Sequence, residues 1–460
     1  MKQNIKKKEK KNEAATHTIP RSPASEPRRI RALPAPRSRA RVAGGGGRSP
    51  ATSSTVLRCG CLRPGRSPAR IWLVPRFRQV LTSKQDIHPE LLGLVLRRLP
   101  SHADRVRLRA VCRPWRSSAR IPSVPPPLPW LALLDGTFLN IASGVIHRIP
   151  VPDGACCHGS LDNWLFLVKS DGGCSLMNPF SRAKLKLPTL ATYKAASTFK
   201  PSFYKLVVPW QLDSSPDSLV AVLIMGGYNF STILICQPPV ATDSSRGQKP
   251  LQHLADVAFF SGKLYAIGKF GNLLILDITG SSAKKPQILA IDSVINSKDY
   301  TGDLPEPLLK DVVYMRREYL VECSGRLLLV TRYIRSMDRA RGRDSFEHHR
   351  TAGFEVLEAD LSNIPGRWTR VNNLRGQALF VGKHCSKALL AGEAGCAQED
   401  CIYFICDYPP QKFAADPLRD SGVYNMRNGM ITPLLTGTAA ALPHRVGQSC
   451  PTWLFPTETM

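Results

Sequence analysis

Between Trp130 and Pro456 the sequence is a succession of short apolar runs cut by Gly, Asn, Asp and Pro. That punctuation constrains the fold more than any other feature. Leu254–Phe260, Lys263–Ile267 and Asn272–Ile278 form a triplet separated by Ser261-Gly262 and Phe270-Gly271, the spacing of an antiparallel meander with tight turns. Similar units pair Trp164–Val168 with Cys174–Met177, and Leu219–Met225 with Thr232–Cys236. Others pair Tyr319–Cys323 with Leu327–Thr331, Gly353–Leu361 with Trp368–Val371, and Cys401–Cys406 with Gly422–Met426. Helical periodicity is scarce. Many short strands at near-regular intervals imply a sandwich, a barrel or a propeller, and length decides among them. Residues 130–456 are too many for one sandwich; at about 40–50 residues per blade they predict six to eight propeller blades. The double glycines at Gly172-Gly173 and Gly226-Gly227 follow a kelch pattern only loosely, and there is no Trp-Asp series.

Residues 86–120 have a different character. Their sequence is DIHPELLGLVLRRLPSHADRVRLRAVCRPWRSSAR. Pro89 suits the first turn of a helix, and Glu90 beside it suits the positive end of the helix dipole. Leu91, Leu92, Val95, Leu96 and Leu99 recur at helical spacing on one broad stripe, and Pro100 ends the helix. Ser101 with Asp104 resembles a capping box opening a second helix. Its expected apolar side is Val106, Ala110 and Val111, with Arg105, Arg107 and Arg109 mostly facing solvent. Pro114 interrupts it, and Trp115 and Arg116 begin a third short turn. A unit this small lies below the roughly 40-residue limit at which a domain folds without help. It also carries more large apolar residues than three such helices can cover. The Pro-rich stretch 121–129 (IPSVPPPLP) reads as a stiff spacer from the strands that follow, so the excess apolar surface is expected to meet a partner protein.

The residues of this segment, Pro89-Glu90-Leu91-Leu92, Val95-Leu96-x-Arg98-Leu99-Pro100 and Arg107-x-Arg109-x-Val111-Cys112-Arg113-x-Trp115-Arg116, resemble an F-box of the plant type. The family usually has Leu before the proline, where this chain has His88 with Ile87 ahead of it. Further on, Met177-Asn178-Pro179-Phe180-Ser181, Asp256–Ala266, Tyr319–Glu322, Gly325–Val330, Gln377–Gly382 and Cys401–Phe404 resemble plant proteins that pair an F-box with a kelch-like β-propeller, a domain of unknown function. Some relatives of that family bind a kinase of the brassinosteroid pathway. The resemblance implies a mainly β protein: a disordered basic tail (1–80), a three-helix F-box (86–120), a linker (121–129) and a C-terminal kelch-like β-propeller (130–456). It also implies a role as substrate-recognition subunit of an SCF-type cullin–RING ubiquitin ligase. The F-box would dock on a Skp-type adaptor through Pro89, Leu92, Val95, Leu96, Leu99, Pro100, Val111, Cys112 and Trp115, and the propeller would hold an unknown target protein. Ligase chemistry would then belong to other subunits, and this chain would be non-catalytic, with neither cofactor nor metal.

The formal charge of +28 is concentrated at the start of the chain, where residues 1–80 hold 20 Lys and Arg against three Glu. With no aromatic before Trp72 and a Gly44–Gly47 run, this segment has too little apolar surface to offset the entropy of ordering it. Plain solvation is the leading reading of its composition, nucleic acid is not an expected partner, and several roles compete with solvation. Lys6–Lys11 (KKKEKK) has the make-up of a nuclear-import patch, and the Asp-free stretch from Arg21 that of an organellar transit peptide. Other readings are a salt-sensitive contact with nucleic acid or misassigned GC-rich DNA. Lys2 and Lys6–Lys8 have no apolar segment behind them, so no secretory signal is expected. No apolar run approaches the length of a membrane span either. Nucleus and cytoplasm are the expected locations. The alternative to the ligase role is a non-ligase propeller binding protein with a vestigial F-box, directed to an organelle or the nucleus by this tail.

The 13 cysteines are odd in number and never spaced Cys-x-x-Cys, which suits free, buried thiols. There is no phosphate-binding Gly-x-x-x-x-Gly-Lys, His-Glu-x-x-His or Gly-x-Ser-x-Gly. Glu347-His348-His349 and Cys396, Cys401 and Cys406 are weak metal candidates. If a strand ran from Cys401 to Cys406, the odd separation would put those sulfurs on opposite faces. Trp164, Trp368 and Trp453 are expected to anchor blade cores.

Overall fold

The computed structural model describes residues 88–99 and 102–118 and, within 128–456, all but 134–135, 180, 190–202, 210–218, 226–229, 237–250, 253, 269–270, 279–285, 297–313, 336–348, 393–396, 409–417 and 436–449. The basic tail, most of the Pro-rich spacer, Pro100, Ser101, Glu347, His348 and Cys396 lie outside the described residues.

Alternation and turn chemistry build the strands. In the triplet singled out above, β12 (Asp256–Phe260) and β13 (Lys263–Ile267) pair from Asp256 opposite Ile267 to Phe260 opposite Lys263. The two residues between them, Ser261 and Gly262, have φ of 48° and 75°. Two successive left-handed residues turn the chain with the twist its strands require. The same device, Ser324 and Gly325 at 50° and 76°, joins β16 (Tyr314–Cys323) to β17 (Arg326–Arg335).

Six sheets result, four of them simple meanders of consecutive strands. The first holds β1 (Trp130–Ala132), β2 (Thr137–Asn140) and β3 (Ile146–Arg148). The second holds β4 (Ala155–Leu161), β5 (Trp164–Lys169), β6 (Cys174–Met177) and β7 (Lys184–Leu187). In the third are β8 (Phe203–Val207), β9 (Val220–Met225), β10 (Phe230–Cys236) and β11 (Leu251–Gln252). The fourth adds β14 (Leu273–Ile278) and β15 (Ile288–Ile295) to β12 and β13, and the fifth adds β18 (Arg350–Asp360) and β19 (Arg367–Arg370) to β16 and β17. The sixth contains β20 (Gln377–Val381), β21 (Lys387–Leu390), β22 (Cys401–Phe404), β23 (Gly422–Asn425) and β24 (Ile431–Pro433). Finally β25 (Thr452–Leu454) returns to the first sheet and pairs antiparallel with β1, Trp130 opposite Leu454. The last strand thus closes a ring against the first.

Each consecutive pair of sheets shares one apolar seam. Phe166, Leu176, Tyr204 and Val222 fill the one between the second and third. Tyr319, Val330, Leu379 and Phe404 fill that between the fifth and sixth. The sixth and first meet through Phe380, Tyr403, Leu131 and Trp453. Three further seams complete the circuit, and this arrangement is a six-bladed β-propeller. Trp453 is fully buried and its Nε1 donates to the Val381 carbonyl at 3.0 Å, so it pins the closing strand to the sixth blade.

Two details depart from the expectation. The sixth blade is not a simple meander: β20 runs parallel to β22, Leu379 opposite Ile402, because β21 lies on its other side. And β22 stops at Phe404, so Cys401 and Cys406 do not share a strand. Cys401 packs in the seam with the first blade, while Cys406 packs with Ile334 and Tyr408.

Candidate functional site

Among the described residues three helices precede the propeller: α1 (Pro89–Arg97), α2 (His102–Arg109) and α3 (Arg113–Ser118). Proline at its start and Glu90 in its first turn open α1, with His88 at the cap position making no side-chain bond there. Leu92 and Leu96, one turn apart on α1, meet Leu108 of α2, and Leu99 and Trp115 pack against them. Among the described residues this small core draws on the helical segment alone, with Leu99 just past the end of α1. Beside it Arg105 is fully buried and its Nε donates to the Leu99 carbonyl at 2.8 Å, satisfying an acceptor left open where α1 ends.

The inner face of α2 is therefore Arg105 and Leu108, which corrects the expected orientation. Arg105 does not face solvent, and Ala110 and Val111, expected on the apolar side, are exposed. The reason is the three-residue step from Arg105 to Leu108, which puts both toward α1 and lets a guanidinium reach a helix-end carbonyl. The apolar stripe of α1 likewise divides. Leu92 and Leu96 look inward, whereas Leu91, Leu94 and Val95 are 56%, 52% and 44% exposed, and Val111 is 54% exposed.

Of the nine residues expected to contact an adaptor, Leu92 and Leu96 are buried in the helical core, and Leu99, Cys112 and Trp115 are half-buried. Val95 and Val111 are exposed, while Pro100 and the side chain of Pro89 fall outside the described set. Sequence reasoning passed over Leu94, although its three-residue spacing from Leu91 places both on one helix face. Exposed arginines stand around this face at Arg98, Arg113 and Arg116.

The second concentration of chemistry lies at the centre of the ring. Residues 382–386 link β20 to β21, and three of them, Lys383, His384 and Cys385, are buried. Lys383 Nζ donates to the carbonyls of Ala255 and Glu318 at 2.8 and 3.1 Å, in the fourth and fifth blades. His384 Nδ1 donates to the Tyr204 carbonyl of the third blade at 2.9 Å. Cys385 Sγ donates to the Trp453 carbonyl of the first blade at 3.4 Å. In the second blade, a Cβ on Gly159 would sit 2.9 Å from the His384 carbonyl oxygen. Only a segment near the ring axis can touch the inner strands of all five other blades, so this link fills the centre. Burial lowers Lys383 to about 8 and His158, against which His384 packs, to about 3. Beside them Lys205 and Asp256 form a buried ion pair at 2.7 Å, and Asp256 also accepts from the backbone N–H groups of Val257 and Leu320.

Eight of the ten described cysteines are buried, and none of the ten is in a disulfide. Burial raises the thiols of Cys157 and Cys236 to about 12. His349 is buried against Tyr408. Among the described residues no three His, Cys, Asp or Glu side chains converge as a metal site would require.

The six seamed sheets, the returning last strand and the helical trio define a β-propeller protein with a helical segment ahead of the propeller. The comparisons agree with that class and narrow it. The profile of the KIB1-4 beta-propeller family matches residues 138–425, more than half of the chain. The chain belongs to the KIB1-4 β-propeller family. It is 27% identical over 166 residues to "Probable F-box protein At1g65740" of Arabidopsis thaliana, covering 36% of this chain and 39% of that one. "F-box protein At2g26160" of the same plant is 25% identical over 345 residues, covering 70% of this chain and 94% of the relative. These matches support the resemblance to plant F-box proteins with a propeller; they do not speak to kelch repeats. Among solved structures, YCF48 from Cyanidioschyzon merolae aligns with a TM-score of 0.25 at 13% identity, over 56% of this chain and 74% of that one, too distant to add to the fold argument.

Proposed function

We propose that this chain is the substrate-recognition subunit of an SCF-type ubiquitin ligase. The helices dock on a Skp-type adaptor, the adaptor joins them to cullin and RING subunits, and the propeller presents a target protein. One observation carries the reading. A helical trio whose own core is already formed by Leu92, Leu96 and Leu108 still holds Leu91, Leu94, Val95 and Val111 in solvent. The names of the two Arabidopsis relatives support it.

The magnitudes are workable. Covering the exposed half of four such side chains yields roughly 3–6 kcal/mol gross, about half of the 1.5–3 kcal/mol that full burial of each would give. Lost translational, rotational and side-chain freedom takes back about 4–15 kcal/mol. Apolar contact alone sits at or below break-even, so Arg98, Arg113 and Arg116 would have to meet carboxylates on the adaptor and speed the encounter. The mechanism is proximity: holding a target beside a charged conjugating enzyme raises the effective concentration of its lysines. Bond-making chemistry belongs to the other subunits, and this chain contributes two binding surfaces.

The test is co-purification of the full chain from plant cells under proteasome inhibition. Wild type should bring down a Skp-type adaptor and its target. Leu94→Asp with Val111→Asp should lose the adaptor while keeping proteins held by the propeller. Undiminished adaptor in that double variant would contradict the reading. The inward pair Leu92 and Leu96 is a poorer choice, because charging it would unfold the trio and remove binding for a trivial reason.

A further inference from the structure

Among the described residues, three arginines crowd around two aspartates at one place in the seam between the fifth and sixth blades. Arg332 on β17 is fully buried, and its guanidinium uses both nearby carboxylates, Asp420 at 2.7 Å and Asp407 at 3.3 Å. Those carboxylates have little capacity left. Asp407 also accepts from the Tyr319 hydroxyl and the Lys383 backbone N–H. Asp420 also accepts from the Thr351 N–H, the Thr351 hydroxyl and the Tyr408 hydroxyl.

Two further arginines enter the same region with no hydrogen-bond acceptor among the described residues. Arg317 lies directly opposite Arg332 in the β16–β17 ladder, and its Nε is shielded from solvent with no hydrogen-bond partner. Its neighbour Glu318 points to the other face of the strand, where Lys383 and Arg316 act on it. Arg419 is more extreme: Nε, Nη1 and Nη2 are all shielded and all unpartnered, while the guanidinium carbon lies 5.4 Å from the centre of the Tyr408 ring. Both side chains border the Arg332 network: Arg317 faces Arg332 across the ladder, and Arg419 precedes Asp420 in the chain and lies over Tyr408, whose hydroxyl donates to Asp420. Cys450 Sγ donates to the Tyr408 carbonyl at 3.2 Å. Met315, Ile334, Cys406 and Tyr408 supply apolar packing at the same place.

Shielded guanidinium donors left unmet, all three nitrogens of Arg419 and the Nε of Arg317, are destabilising, and a native fold keeps such a group when something else supplies the acceptor. We propose that Arg317 and Arg419 form an oxyanion-binding site in this seam, taking a phosphate or carboxylate group. Planar forked donors suit the paired oxygens of both groups, and the apolar packing keeps competing water away. The site does not depend on the ligase reading, since it involves no helical residue.

Thermal melting of the purified full chain tests it, with sodium phosphate, sodium acetate and sodium chloride compared at equal ionic strength. Because a chain of charge +28 attracts anions everywhere, the control is Arg148→Gln, an exposed arginine. Wild type and the control should gain stability with phosphate, saturably and beyond the chloride baseline. Arg419→Gln and Arg317→Gln should each weaken that response at least about tenfold. An equal response to acetate assigns oxyanions generally; a response to phosphate alone assigns phosphate. Without added anion Arg419→Gln should melt at or above wild type, since it removes an unmatched buried charge. The proposal fails if neither anion exceeds chloride, or if the anion response survives both substitutions. A marked drop in the anion-free melting temperature of Arg419→Gln would also overturn it, showing that the guanidinium already has its acceptor.

Discussion

Arg332 shows how far a single side chain can organise this molecule. It sits 4.6 Å over the Phe404 ring, donates to the Ile405 carbonyl at 2.7 Å and bridges Asp407 and Asp420. Arg332→Met would leave two buried carboxylates without their cation, and breaking such a network costs about 3–5 kcal/mol. Urea unfolding should show that loss; a change within error would mean the carboxylates find another partner. Asp256 is the parallel case in the third and fourth blades, where Lys205 and two backbone amides depend on it. Acid sensitivity also belongs to this scale. Burial holds His158 at about 3 and depresses His384 too, whereas an unfolded histidine titrates near 6.5. The unfolded chain therefore binds more protons than the folded one as pH falls through that interval. Stability from keeping these rings neutral is complete above about pH 6.5 and is lost progressively toward pH 3. His158→Phe should flatten the slope of stability against pH below 6.5, and an unchanged slope would show that other groups set it. None of this was legible beforehand, because an arginine, lysine or histidine reads as surface until its partners from distant strands are known. Arg105 is hidden for a local reason, since its acceptor is the Leu99 carbonyl six residues earlier, freed where α1 ends.

At the scale of elements, the hairpins were the most legible part. Ser261-Gly262 between two apolar runs located the β12–β13 turn, because a residue free of a Cβ enters the left-handed region cheaply. Gly262 and Gly325 have nothing within 4 Å of a would-be Cβ, so Gly→Ala at either should cost about 1 kcal/mol, the backbone term alone. Gly159→Ala should cost clearly more, since its Cβ would meet the His384 carbonyl oxygen at 2.9 Å. Equal melting shifts for the three variants would contradict the central position of residues 382–386. Two elements escaped sequence reading. The parallel β20–β22 pair depends on which side β21 takes, and residues 382–386 look like any polar turn between strands. The helical trio was half legible: periodicity located α1, but five apolar residues on one broad stripe concealed that two faces inward and outward were present. Leu96→Ala, at the inner face, should destabilise the trio by about 2–5 kcal/mol, visible as faster amide exchange over 89–118. Unaltered exchange there would mean the core of Leu92, Leu96 and Leu108 is not what holds the helices.

For the whole molecule, counting residues against blade size gave a propeller of six to eight blades, and the structure has six. Which strand closes the ring could not be read, because β25 is three residues long and its partner β1 lies more than 300 positions earlier. That closure makes the two ends of the propeller interdependent. Trp453→Ala removes a fully buried ring and the bond to Val381, and about 3–5 kcal/mol with it. What the assembly does rests on the outward face of the trio. The direct measurement is calorimetric titration of a purified Skp-type adaptor into the full chain, wild type and Leu94→Asp with Val111→Asp side by side. Saturable binding by wild type, weakening with salt and absent from an equally stable double variant, is the result expected. Equal affinity in both, or none in either, would contradict the docking role.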